Sequence, residues 1–133
     1  MKKKLFAMLA AGTMLCGMLT APVSAAETSY QMGDVNMDGA VDVADAQMTL
    51  QEYVMLVLCR RAEGSLTQEQ RQLALVIPKE YRGLEKFITD DNSALLPCAQ
   101  TILSYYTATL ADSSIKENGI SVWVEEMYRK KGN

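Results

Sequence analysis

The sequence predicts an all-α fold built on a duplicated loop–helix unit, and three observations carry that prediction. Apolar residues recur at helical spacing in several separate stretches. No stretch alternates apolar and polar residues long enough for a strand. The segment "AQMTLQEYV", from Ala46, has a counterpart in "AQTILSYYT", 53 residues later. One such helix could not stay folded alone in water, so the two copies are expected to pack face to face. This divides the chain into a leader (1–26) and a domain (30–111), followed by a helical tail (112–133). Within the domain, the first unit is 33–59, an insertion with extra helices is 60–86, and the second unit is 87–111.

The leader opens with Lys2, Lys3 and Lys4 and continues through an uncharged, mostly apolar run from Leu5 to Thr20. Small residues follow in "APVSAA", the pattern of a cleaved secretory signal peptide. The expectation is a secreted protein with no membrane insertion after cleavage. Removing the leader takes three basic residues and leaves ten against sixteen acidic ones, a net charge of −6. That balance disfavours nucleic acid and anionic membranes as partners and suits a cation. Histidine is absent from the whole chain, which excludes Ser/His/Asp, Cys/His and His-based zinc chemistry. Adjacent acidic pairs such as Glu125/Glu126 diverge, so the expectation is a non-catalytic protein. Cys59 and Cys98 survive processing, and either a disulfide or two separate thiols is compatible with the sequence.

The first loop, "DVNMDGAVDVAD", places oxygen-bearing side chains at its first, third, fifth, ninth and twelfth positions: Asp34, Asn36, Asp38, Asp42 and Asp45. Gly39 is sixth, and Ala40, seventh, would offer its backbone carbonyl. This is the ligand order of an EF-hand-type calcium loop. Calcium takes six to eight hard oxygens, and glycine permits the sharp turn that brings them inward. Val41 is apolar and β-branched, as suits a short extended segment packed on a core. The twelfth position holds aspartate where EF-hands usually carry glutamate, so the exiting helix is expected closer to the ion.

The helix after the loop is expected to turn Ala46, Leu50, Tyr53, Val54 and Val57 inward. In the second copy Ala99, Leu103, Tyr106, Thr107 and Leu110 take those places. The ligand positions of the second loop have become Phe87, Thr89, Asp91, Leu95 and Cys98, with Asn92 at the glycine position. Such a set cannot hold calcium against water, so one ion is expected. Between the copies, "SLTQEQRQLALVI" reads as a helix with a Thr67/Gln70 capping box and Leu73, Val76 and Ile77 on one face. A second helix is expected from Pro78 through Tyr81, Leu84 and Ile88. The tail shows Ile120, Trp123, Val124 and Met127 at helical spacing, then Arg129, Lys130 and Lys131 where the helix dipole favours cations.

"GDVNMDGAVDVADAQMTLQEYV" resembles the first repeat of a type I dockerin, the module that docks cellulosome components onto cohesin domains. The likeness is close over that stretch and weaker through "SLTQEQ" and "CAQTILSYYT". The resemblance implies a calcium-dependent interaction module in polysaccharide degradation. Its partner would be a cohesin domain of a scaffoldin or cell-surface protein. Family contacts concentrate at the tenth and eleventh loop positions, here Val43 and Ala44, and on the outer face of the helix. The helical stripe opposite the expected core face contains Ala44, Met48, Gln51 and Met55, so the expected partner-binding set is Val43, Ala44, Met48, Gln51 and Met55. Dockerins often bind in two orientations through their symmetry, and a worn second copy implies one. The chain after the repeats is too short for a catalytic module, which suggests an adaptor or a plug. The alternative is a stand-alone secreted calcium-binding protein without a cohesin partner.

Overall fold

The computed structural model describes residues 29–78 and 91–132, and every regular element among them is helical. The leader and the helix expected over Tyr81, Leu84 and Ile88 lie outside the described residues, as do Phe87 and Thr89. Helix α1 spans Val43–Tyr53 and runs on through a π-helical segment, Val54–Leu58, closed by Cys59 N–H donating to Val54 O at 2.8 Å. Helix α2 spans Gln68–Ala74, α3 spans Asp91–Ala111 and α4 spans Ser113–Lys131.

Helix α1 packs chiefly on α3, α4 packs on α3, and α2 touches both α1 and α3. Val35 and Val41 from the acidic loop join Ala46, Ile102, Ile120 and Val124 in the main core. A smaller cluster of Ile77, Ala94 and Cys98 lies beside it, with Tyr128 packed against it. Cys98 is buried and Cys59 exposed, and no disulfide joins them.

The burial pattern repeats at the 53-residue offset found in the sequence. Asp45, Ala46, Thr49 and Glu52 are buried on α1, and Cys98, Ala99, Ile102 and Tyr105 are buried at the matching places on α3. Leu50 and Leu103 match too, and both are 43% exposed. The expected inward face of α1 therefore needs correction. Leu50 and Val54 look outward and Val57 is half-buried, while Thr49 and Glu52 are fully buried. The cause is local satisfaction of polar groups. The Thr49 hydroxyl donates to Asp45 O at 2.8 Å, and the Glu52 carboxylate accepts from Ser65 N, Leu66 N, the Ser65 hydroxyl and Arg71 Nε. With those groups partnered, burying them costs little, and apolar periodicity no longer fixes the helix phase.

The capping box of α2 forms as expected: Gln70 N–H donates to Thr67 Oγ1 at 3.2 Å and Thr67 N–H to Gln70 Oε1 at 3.0 Å. The helix nevertheless stops at Ala74, short of Val76 and Ile77. Leu75 leaves helical geometry (φ −79°, ψ 79°), and Val76 and Ile77 are buried from consecutive γ-turns, with Val76 N–H donating to Ala74 O at 3.0 Å and Ile77 N–H to Leu75 O at 2.9 Å. Asp91, Asn92, Leu95 and Cys98 of the second loop's ligand register all lie within α3 and are helical. Helix α4 begins earlier than the tail pattern predicts, capped by Asp112, whose carboxylate accepts from Ser114 N–H at 3.0 Å. It bends at Gly119 (φ 78°, ψ 164°), and beyond the bend Ile120 and Val124 are buried as expected. Trp123 meets Tyr105 edge to face, with ring centroids 5.8 Å apart.

Candidate metal centre

The acidic loop is held at both ends before any ligand is considered. Gly33 N–H donates to Leu73 O at 2.8 Å, tying its start to the end of α2. Ile120 packs over the same residue so closely that a Cβ on Gly33 would lie 2.9 Å from its Cδ1. Val35 and Val41 anchor the loop's two limbs in the core, as expected for Val41. Between them the backbone turns through positive φ at Met37 (61°) and Gly39 (92°). Glycine adopts that conformation without cost, which fits its sixth position.

The carboxylates are oriented by the loop's own N–H groups. Asp34 accepts from Asp38 N at 3.1 Å and from Gly39 N at 2.9 Å. Asn36 Oδ1 accepts from Asp38 N at 3.0 Å, and Asn36 Nδ2 donates to Asp38 Oδ2 at 2.8 Å. Asp38 also accepts from Ala40 N at 2.9 Å. Asp45 reaches back across the loop, accepting from Val35 N at 2.8 Å, Asn36 N at 3.0 Å and Asp42 N at 2.8 Å. Asp42 in turn accepts from Ala44 N at 2.7 Å, so Asp42 and Asp45 form the capping box of α1. The loop and the helix start are one hydrogen-bonded unit.

Electrostatically the loop is unbalanced. Asp34 and Asp45 are 1% and 0% exposed. Burial pushes the Asp45 carboxyl up; N–H groups of Asn36, Asp42 and Val35 pull it back in part, and the Asp42 charge adds to the rise. Among the described residues the one ion pair joins Arg71 to Glu52, so no Lys or Arg bridges to a loop carboxylate. Nor do three carboxylates, thiols or imidazoles gather closely around one point among those residues.

The donor set is all hard oxygen: carboxylates of Asp34, Asp38, Asp42 and Asp45, the Asn36 amide and the Ala40 carbonyl. That chemistry fits calcium and not a thiolate- or imidazole-seeking metal. Asp34, Asn36, Asp38, Ala40 and Asp42 lie in the loop and Asp45 in the first turn of α1, and their carboxylates are not gathered into a ready cage among the described residues.

Of the expected partner-binding residues, Val43 and Gln51 are exposed, while Ala44 and Met55 are half-buried. Met48 is half-buried against the core. The sequence reading missed the Glu52 clamp. Its signal was a lone acidic residue in a helix otherwise uncharged beyond Asp45. Also missed was the start of α4, signalled by Asp112-Ser113-Ser114, a favourable cap sequence. No helix among the described residues is long and apolar enough to cross a membrane. The chain matches no family model, no curated protein and no solved structure.

Proposed function

We propose that this protein is a secreted, non-catalytic, calcium-dependent interaction module of dockerin type that binds a cohesin domain in one orientation. The observation that carries the reading is the buried pair Asp34 and Asp45, with no basic side chain bridging to it among the described residues, in a loop of EF-hand ligand order. Asp34, Asn36, Asp38, Asp42 and Asp45, with the Ala40 carbonyl, would hold the ion. Calcium would supply a positive charge that no ion pair provides to these oxygens among the described residues. The capping box of Asp42 and Asp45 then links the state of the loop to the first turn of α1, and so to the outer face on which a partner would dock. Val43 and Gln51 lie on that face, with Leu50 and Val54 beside them.

The burial match between α1 and α3 supports a duplicated unit. The asymmetry supports a single orientation, because Asp91, Asn92, Leu95 and Cys98 of the second loop's ligand register are helical and, among the described helices, α4 packs on α3 alone. The test is a pull-down against a panel of cohesin domains in millimolar calcium, repeated with chelator and with an Asp34→Ala/Asp38→Ala variant. Calcium-dependent capture of a cohesin, lost in the variant, is the expected result. Ion binding without any cohesin capture would leave a stand-alone calcium-binding protein. Capture that survives chelation would contradict the reading.

A further inference from the structure

From Val43 to Leu58, α1 and its π-helical extension carry two charged side chains, Asp45 and Glu52, and both are fully buried. Everything this helix shows to solvent is therefore uncharged, whereas the polar face of a surface helix ordinarily carries charge. Val43, Leu50, Val54 and Leu58 are exposed, Leu58 by 63%. Their gaps of seven, four and four residues place them on one stripe, with Gln47 and Gln51 beside them. The two ends of the stripe differ in sign. The acidic loop with exposed Asp38 adjoins the Val43 end, and exposed Arg60 and Arg61 follow Leu58.

We propose that this stripe pairs with the same stripe of a second copy of the chain, the two helices running antiparallel. A two-fold axis near Leu50 and Gln51, the middle of the stripe, sets Val43 of one copy against Leu58 of the other. The acidic end of each copy, whose four aspartates remain net negative when one divalent ion is bound, then meets the arginines of its partner, whereas parallel pairing would set the arginines together. Gln51 near the axis suits this arrangement, because an amide carries both donor and acceptor and can pair with its own copy. The stripe is about 24 Å long at the helical rise, a small interface, so the association is weak and concentration-dependent. The inference rests on exposure and charge, independently of the cohesin reading. It adds a consequence for that reading: self-association and partner docking compete for one face.

Sedimentation velocity on the calcium-loaded protein from about 5 to about 500 µM should show a reversible monomer–dimer shift. Leu50→Asp/Val54→Asp should weaken the dimer by about thirtyfold or more, with helical circular dichroism confirming that the variant folds. In a Cys59→Ser background, Gln51→Cys should cross-link to a covalent dimer on mild oxidation. Ser104→Cys, at the matching place on α3, should stay monomeric. A native chain that remains monomeric throughout, or cross-linking that does not distinguish Gln51→Cys from Ser104→Cys, would overturn the proposal. The outcome does not depend on whether any cohesin binds.

Discussion

Arg71 Nε donates to Glu52 Oε1 at 2.9 Å, joining α2 to the middle of α1 through a carboxylate that is itself fully buried. The other carboxylate oxygen accepts from Ser65 N at 2.6 Å, Leu66 N at 3.1 Å and the Ser65 hydroxyl at 3.1 Å. One side chain thus fixes both the return loop and the helix that follows it. Glu52→Ala strands two backbone donors and should cost about 3 kcal/mol of stability. Arg71→Ala, at a side chain 38% exposed, should cost about 1 kcal/mol. Urea denaturation of the two variants checks the order; equal losses would contradict it.

The same carboxylate predicts an acid response. Burial alone would raise the Glu52 carboxyl, but hydrogen bonds from Ser65 N, Leu66 N, the Ser65 hydroxyl and Arg71 outweigh it and hold it below its ordinary 4.5. A carboxylate with a depressed folded-state pKa contributes stability that is fully present above its unfolded value. That contribution is lost as pH falls through the lower folded value. Stability should therefore decline below about pH 4.5, and Glu52→Gln should flatten that part of the curve. Identical acid limbs in parent and variant would rule out the clamp as the cause.

Gly64 sits against this clamp, and a Cβ there would overlap the Glu52 carboxylate. Gly64→Ala should therefore destabilise by about 2 kcal/mol, since the carboxylate cannot move without losing its donors. Gly132→Ala serves as the control, because its Cβ would meet only ordinary contacts with Tyr128 O and Arg129 O. Thermal melts of both variants decide it, and a neutral Gly64→Ala would show that the clamp yields.

These residues mark where sequence reasoning reached and where it stopped. The helical class, the Thr67/Gln70 capping box and the loop's oxygen order were legible, because each depends on chemistry within a few residues. The phase of α1 was not. Its buried face uses Asp45, Thr49 and Glu52, whose partners lie up to nineteen residues away in sequence, at Arg71. Apolar periodicity sees side chains and not their partners, so it assigned Leu50 and Val54 to the core. The end of α2 was missed for a related reason. Val76 and Ile77 are buried from consecutive γ-turns, and an apolar pattern alone does not distinguish turns from a helix.

The single tryptophan offers a way to observe coupling between the loop and the tail. Ile120 packs over Gly33 at the base of the acidic loop, and Trp123, one turn further along α4, contacts Tyr105 of α3. Disordering the loop should loosen α4, expose Trp123 and shift its emission to longer wavelength. Chelation should produce that shift, and restored calcium should reverse it. Emission that ignores chelator while the loop itself responds would show that α4 is held independently.

The central claim is that residues 34–45 form one calcium site organising the start of α1, and calorimetric titration of calcium into the chelator-treated protein tests it most directly. One ion per chain is the predicted stoichiometry, with binding lost in Asp34→Ala/Asp38→Ala. No binding at millimolar calcium, or two ions per chain, would contradict the account.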